Sequence, residues 1–326
     1  MSLSNYFLQQ LLNALSIGSL YALMAVGLAM VFGILRLINF AHGDLMMVAA
    51  YIAYFALSAK LPFGVAVILM IGGTILVGIL MERIAYRPIR NAPAIAALLT
   101  SFAVGQMLQN GTLLITRFAS KPVQIAFPSP PELSGPLTIG ALSISKVNTV
   151  SLIVGPILLL LLTLFITRTK IGLSMRAVAE DVGAAQLMGI NTNRVIVVAF
   201  VLGSGLASIA GLLYAAQAGQ INPYLGFTPV LKAFIAAVIG GFGSISGAMI
   251  GGYALGFLEV GLTALPGLGD ILPASSTNPA VISFFKTYLP SSLSSYRDAF
   301  VFIILILLLL FRPGGILGTT DREAGR

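Results

Sequence analysis

Arg168-Thr-Lys-Ile-Gly-Leu-Ser-Met-Arg-Ala-Val-Ala-Glu-Asp-Val-Gly-Ala-Ala-Gln-Leu-Met-Gly-Ile-Asn-Thr-Asn-Arg194 is the longest charged segment in an otherwise apolar chain. One apolar run ends at Thr167 and another begins at Val195. Each is long enough to cross a bilayer core, which takes about 20 helical residues. Arg168, Lys170, Arg176 and Arg194 make the segment basic, so the positive-inside tendency places it in the cytoplasm. Within it the sequence predicts a helix capped by Ser174 and ended by Gly189 in the left-handed conformation. Met175, Val178, Val182, Ala185 and Met188 recur at helical steps, with Arg176, Glu180, Asp181 and Gln186 largely on the other side. Two readings fit such a tethered, striped helix. It is a socket for another protein, or it lies on the membrane surface or on its own bundle.

Composition extends this reading to the whole chain. Of 326 residues 58% are hydrophobic and only 9% charged, with a mean hydropathy of +1.00. Soluble domains carry about 25% charged residues, so the expected class is all-α: one polytopic membrane helix bundle over residues 1–326. The net charge of +8 follows topology and is no nucleic-acid footprint, since Arg83, Arg87, Arg90 and the 168–194 loop flank apolar spans. With no cysteine and one histidine, disulfides, thiolate sites and a multi-histidine metal centre are excluded. The start, Met-Ser-Leu-Ser-Asn-Tyr, lacks the basic region of a cleavable signal peptide. No Gly-x-x-x-x-Gly-Lys-Ser/Thr loop occurs, so the chain is expected to be no enzyme and to hold no cofactor. Energy for uphill transport then comes from a partner or an ion gradient.

Apolar runs predict spans at 11–35, 45–59, 65–81, 94–115, 149–166, 195–218, 234–239, 245–262 and from 300 to 311. The basic turn 82–93, the 168–194 loop and the basic tail all fall inside only if the number of crossings is odd. Nine crossings (within a range of eight to ten) put the N-terminus outside and the C-terminus in the cytoplasm. The seventh is short enough to be half-buried or re-entrant. Residues 117–147 and 264–298, rich in proline, are the expected external loops, the first with a small hairpin around Gly140.

Polar residues at span junctions are the candidate contacts for a solute. Ile38-Asn39-Phe40-Ala41-His42-Gly43-Asp44 places Asn39, His42 and Asp44 where two spans meet. Ionisable groups at membrane depth cost roughly 2.5–3.5 kcal/mol each and usually face a cavity or partner. One reading makes the segment part of a broken helix lining the translocation path; the other makes it an interfacial turn with Arg36 paired to Asp44. Ile221-Asn222-Pro223-Tyr224-Leu225-Gly226 follows the sixth span as Ile38–Gly43 follows the first, and both read Ile-Asn-x-x-x-Gly. Inverted repeats meeting at a midplane site have this form, which adds Asn222 and Pro223 to the pathway candidates. Gly243, Gly247 and Gly251, with Gly252 and Gly256, form small-residue faces suited to close helix packing or to a pore wall. Lys232 and Glu259 sit near span ends, where they can snorkel to the interface.

Ala177-Val-Ala-Glu-Asp181 followed by Leu187-Met-Gly-Ile-Asn191 resembles the cytoplasmic loop of permease subunits of branched-chain amino acid ABC importers, the LivH-type in particular. Ala184-Ala185-x-x-x-Gly189 is similar to the core of the wider ABC coupling motif, although Gly183 stands where that motif has an acid. The Ile38–Asp44 segment, the stretch Lys232–Ala248 and the tail Pro313-Gly-Gly-Ile-Leu-Gly318 resemble the same family in the same order. The resemblance implies an ABC importer permease in the bacterial inner membrane, translocating branched-chain or related amino acids. Its loop would dock on an ATP-hydrolysing subunit through Arg176, Glu180, Ala184, Ala185 and Gly189. It implies two ATPase subunits, which use the ATP, a second permease in a heterodimer, an external solute-binding protein, and surrounding membrane lipid. Permeases for urea or short amides share the pattern, and a stand-alone secondary transporter is a further alternative. Few buried acids suit ion coupling, which weighs against that last reading.

Overall fold

In hydrocarbon a chain must satisfy its own backbone hydrogen bonds, and the apolar runs of this sequence do so as helices. The computed structural model describes residues 3–90, 92–140, 142–275, 278–288, 296–312 and 314–317. The first helix, α1, runs Leu3–Leu35, followed by α2 at His42–Ser58 and α3 at Phe63–Met81. A π-turn (Glu82–Tyr86) and a 3-10 turn (Arg87–Ile89) extend α3 before α4 at Ala94–Phe118. Then come β1 (Ile125–Ala126), β2 (Pro136–Ile139), β3 (Leu142–Ser145) and α5 (Lys146–Arg168). The charged segment folds as α6 (Lys170–Glu180) and α7 (Val182–Leu187), and leads into α8 (Thr192–Ala218). Last are β4 (Gln220–Ile221), α9 (Phe227–Gly240), α10 (Ile245–Ser275), α11 (Pro279–Tyr288) and α12 (Arg297–Phe311).

Each predicted span has its helix: α1, α2, α3, α4, α5, α8, α9, α10 and α12. By length and composition α1, extended α3, α5, α8 and α10 to Gly267 can cross a membrane. The expected short seventh span is α9, whose 14 residues cover about 21 Å at 1.5 Å per residue. The stretch 264–298, expected as a proline-rich loop, is largely helical: α10 continues to Ser275 and α11 follows. Leu262, Leu265, Leu268 and Leu272 keep a helical apolar spacing through Pro266, so α10 is not stopped there. Residues 276–277 and 289–295 of that stretch, and Pro313 and 318–326 of the tail, lie outside the described residues.

α1 is the core of the bundle, with Ala22 to Val26, Leu28 and Ala29 wholly buried. It packs against α10, α8, α9 and α5. Glycines set the closest approach: a Cβ on Gly252 would sit 2.4 Å from Ala22 Cα, and one on Gly256 2.4 Å from Gly18 Cα. The small-residue faces of α10 therefore serve packing. At one end of the bundle Arg36 donates to the Ala179 carbonyl at 3.3 Å, and Arg90 reaches Asn193. Arg83, Arg87, Arg168, Lys170, Arg176 and Arg194 share this basic end. At the other end β2 and β3 form the expected hairpin around Gly140, and β1 pairs antiparallel with β4. The tail closes the basic end of α9, where Ile316 N donates to Ile239 O at 2.8 Å and Leu317 N to Gly240 O at 2.9 Å. These two bonds satisfy carbonyls that a helix end otherwise leaves open.

Candidate functional site

The two Ile-Asn-x-x-x-Gly segments come together. A Cβ on Gly43 would lie 2.2 Å from Gly226 O, and one on Gly226 would lie 2.0 Å from Gly43 O. Both form the same turn: His42 N donates to Asn39 O at 3.2 Å, and Leu225 N donates to Asn222 O at 3.1 Å. The surrounding helices follow suit. α2 packs on α8 and α3, while α9 packs on α1 and α10, and α3 and α10 lie against α8 and α1 respectively. α1 ends at the basic end, where α8 begins, so the two three-helix units are inverted relative to each other, in the manner of transporter repeats.

Asn39, His42 and Asp44 are all buried in this arrangement, Asn39 and His42 to 1% exposure. Tyr86 Oη, on the π-turn, donates to Asn39 Oδ1 at 2.7 Å. Gln109 Nε2, on α4, donates to Asp44 Oδ1 at 2.8 Å. Gly105, one turn earlier on α4, leaves room for the other carboxylate oxygen, which a Cβ there would meet at 2.4 Å. His42 is seated against Gly27 of α1, and its Nε2 is buried with no hydrogen-bond partner. The Arg36–Asp44 pair of the interfacial reading does not form, because Arg36 points to α6 and Asp44 to α4. Asn222 does not join the buried group: half-buried, it accepts from Tyr224 N at 2.9 Å and closes its own turn, with Pro223 buried beside it.

The charged segment is two helices and not one. Thr169, rather than Ser174, caps α6, its Oγ1 accepting from Gly172 N at 3.0 Å. Asp181 breaks the path with an extended backbone and caps α7, accepting from Ala184 N at 2.9 Å. Gly189 adopts the expected left-handed conformation at φ 78. The apolar stripe is divided accordingly. Met175, Val178 and Ala185 are buried on the chain's own bundle, whereas Leu187 and Met188 stand 90% and 81% exposed at the tip. Ala184 is exposed on α7, and Arg176 and Glu180 are exposed on α6, where they border a cavity against α1, α5 and α10.

Residues 10–310 match the profile of the branched-chain amino acid transport system / permease component family. The chain belongs to this family. It is 37% identical to the high-affinity branched-chain amino acid transport system permease protein LivH of Escherichia coli (strain K12), over 98% of this chain and 97% of LivH. It is 37% identical to the corresponding permease protein BraD of Pseudomonas aeruginosa, over 98% of each. Identity is 27% to the probable permease protein LivH of Methanocaldococcus jannaschii, covering 96% of this chain and 93% of that one. The chain is thus a membrane transport permease.

Sequence reasoning missed two buried ionic groups of the permease. Lys232 and Glu259 do not snorkel apart. Lys232 Nζ meets Glu259 Oε1 at 2.7 Å and Tyr21 Oη at 3.1 Å, while Tyr21 Oη donates to Glu259 Oε2 at 2.5 Å. Arg297 Nε, at the start of α12, adds a contact to Glu259 Oε1 at 3.1 Å. The network thereby joins α1, α9, α10 and α12. The available signal was opposite charges on the consecutive helices α9 and α10. At the basic end, buried Glu82 pairs with Arg90 across the π-turn. That pairing holds the turn whose Tyr86 reaches Asn39, and nothing in the local sequence marked it.

Proposed function

We propose that the permease is one membrane subunit of an ATP-driven importer of branched-chain or related amino acids, with its basic end in the cytoplasm. The observation that carries this reading is the shape of the 168–194 segment. α6 is anchored on the bundle by Met175 and Val178, and α7 ends in the exposed pair Leu187 and Met188. A push on that pair passes through Ala185 and α6 to α1 and α8, against which α6 packs. In this reading Arg176 and Glu180, exposed on α6, are further contacts for the ATPase subunit, and Gly189 sets the exit angle of the tip.

In this reading an ATPase subunit docks on the tip, and the complete importer holds two of them. A second permease completes a heterodimer, and an external binding protein delivers the solute to the hairpin end. ATP acts on the partner subunits alone. Asn39, His42 and Asp44 line the path when the two inverted units part at Gly43 and Gly226, with Asn222 and Pro223 guarding its outer side. The relatives named for branched-chain amino acid transport favour those solutes over urea or short amides.

The test is leucine uptake and ATP hydrolysis measured together in proteoliposomes holding all subunits. Leu187→Glu, Arg176→Glu and Gly189→Phe are expected to leave ATP hydrolysis running while uptake falls. Normal coupled uptake in all of them would remove the loop from this role. Leucine flux driven by an ion gradient through the chain alone would replace the proposal with a secondary transporter.

A further inference from the structure

Two cavities lie end to end along one face of α8. The first, of about 860 Å³, is at the basic end, between the turns that extend α3 and the start of α8. Arg83, Arg87, Arg90 and Arg194 line it above Val195 and Val198. The second, of about 380 Å³, lies deeper and has only apolar walls: Ile71 and Ile75 of α3, Leu158 and Leu161 of α5, Leu202 and Leu206 of α8. Their centres are about ten residues apart on α8, or roughly 15 Å along the helix.

Charge distinguishes the first cavity from an ordinary positive-inside flank. Arg90 is engaged by Glu82 and Asn193. Among the described residues no carboxylate pairs with Arg83, Arg87 or Arg194. Guanidinium groups present planar donors that match phosphate oxygens. The second cavity identifies the phosphate's carrier. A soluble phosphate or an acidic protein surface would fill the basic cavity and leave the apolar one unused. A phospholipid fills both, and basic pockets between membrane helices are a known form of headgroup site. Ile171, exposed at 47%, lines the same basic cavity with surface suited to hydrocarbon. Gly205 keeps the deeper groove open, since a Cβ there would meet only Ile75 Cδ1, at 3.8 Å.

We infer that the two cavities are the head and tail of one site for an anionic phospholipid. Its phosphate rests on Arg83, Arg87 and Arg194, and an acyl chain lies along α8 between α3 and α5. Gly189 and Ile190 line the same basic cavity, so the bound headgroup braces the end of the 168–194 segment.

The inference is tested by native mass spectrometry of the full-length chain in a neutral detergent. The probes are phosphatidylglycerol, phosphatidylcholine with the same chains, and inorganic phosphate. Phosphatidylglycerol is expected to bind saturably, phosphatidylcholine far more weakly, and inorganic phosphate not to displace the lipid. The pair Arg83→Gln with Arg194→Gln should weaken phosphatidylglycerol by about thirtyfold, from about 1 kcal/mol per arginine. The matching pair of lysine substitutions should recover most of that loss. Gly205→Phe fills the tail groove without touching a charge and should also weaken the lipid, which keeps the test open if the glutamine pair does not fold. Equal binding of both lipids, or undiminished binding in the Gly205→Phe protein, would overturn the site. Displacement of the lipid by inorganic phosphate would make it a soluble-anion pocket instead.

Discussion

The segments Ile38–Gly43 and Ile221–Gly226 share a backbone turn and meet at their glycines, yet they differ in what their side chains do. Asn39 is buried and tied to Tyr86 on another element; Asn222 is half-buried and tied to its own turn. Where the first has His42 and Asp44, the second has Leu225 and Phe227. The common turn builds the inverted architecture, which needs only backbone and glycine. Polar chemistry is concentrated on the first copy, where α2, α4 and the π-turn converge. A repeat in the fold is therefore no repeat of side chains: the first copy carries the buried polar groups, and the second keeps the half-buried Asn222.

The contact itself gives the largest expected effect. Gly43→Val forces a side chain into the Gly226 carbonyl, and no rotamer moves a Cβ away. Overpacking of this kind costs about 3 kcal/mol, and Gly226→Val should match it; both would appear as lost monodisperse protein on size-exclusion chromatography. Retention of wild-type stability by either variant would mean the segments are not in contact.

Next comes the difference between the two asparagines. Tyr86→Phe leaves the buried Asn39 oxygen without its donor, at a cost of about 1–3 kcal/mol, while Asn222→Ala exposes only groups that water can satisfy, at about 0.5–1 kcal/mol. Thermal denaturation should rank them in that order, and a reversed ranking would break the comparison. Combining Tyr86→Phe with Asn39→Ala should cost less than the sum of the two, since one bond is removed twice.

The smallest expected effect on stability, and the sharpest on transport, is at His42. Its Nε2 is buried without a partner while the ring also hydrogen-bonds to the Met24 backbone, so in His42→Leu one bond is lost and one unpaired atom removed, and the melting temperature should change little. Leucine uptake should nevertheless fall by roughly tenfold, the worth of one polar contact of about 1.4 kcal/mol. Leu225→Ala, at the corresponding place in the second copy, should lower stability and spare the residual uptake per folded molecule. Undiminished uptake in the His42→Leu protein would take the first copy out of the path.

What the sequence determined by itself was most of what depends on local pattern. Apolar run lengths placed the nine helices, because a helix in hydrocarbon needs only its own backbone and an apolar surface. Gly140 marked the hairpin and Gly189 the left-handed exit, since a positive φ favours glycine. Tertiary structure decided what required knowing a neighbour. By contrast, Asp181 divided the charged segment through a local cap, its carboxylate accepting from Ala184 N, a signal that the apolar periodicity masked. Pairing Lys232 with Glu259 and Tyr21 depends on how the helices that carry them are rotated about their axes. Asn39, His42 and Asp44 could be read as polar residues at a junction, but their burial came from helices far away in sequence. A side chain's type is written in the chain; the dielectric and the partner it meets are set by packing.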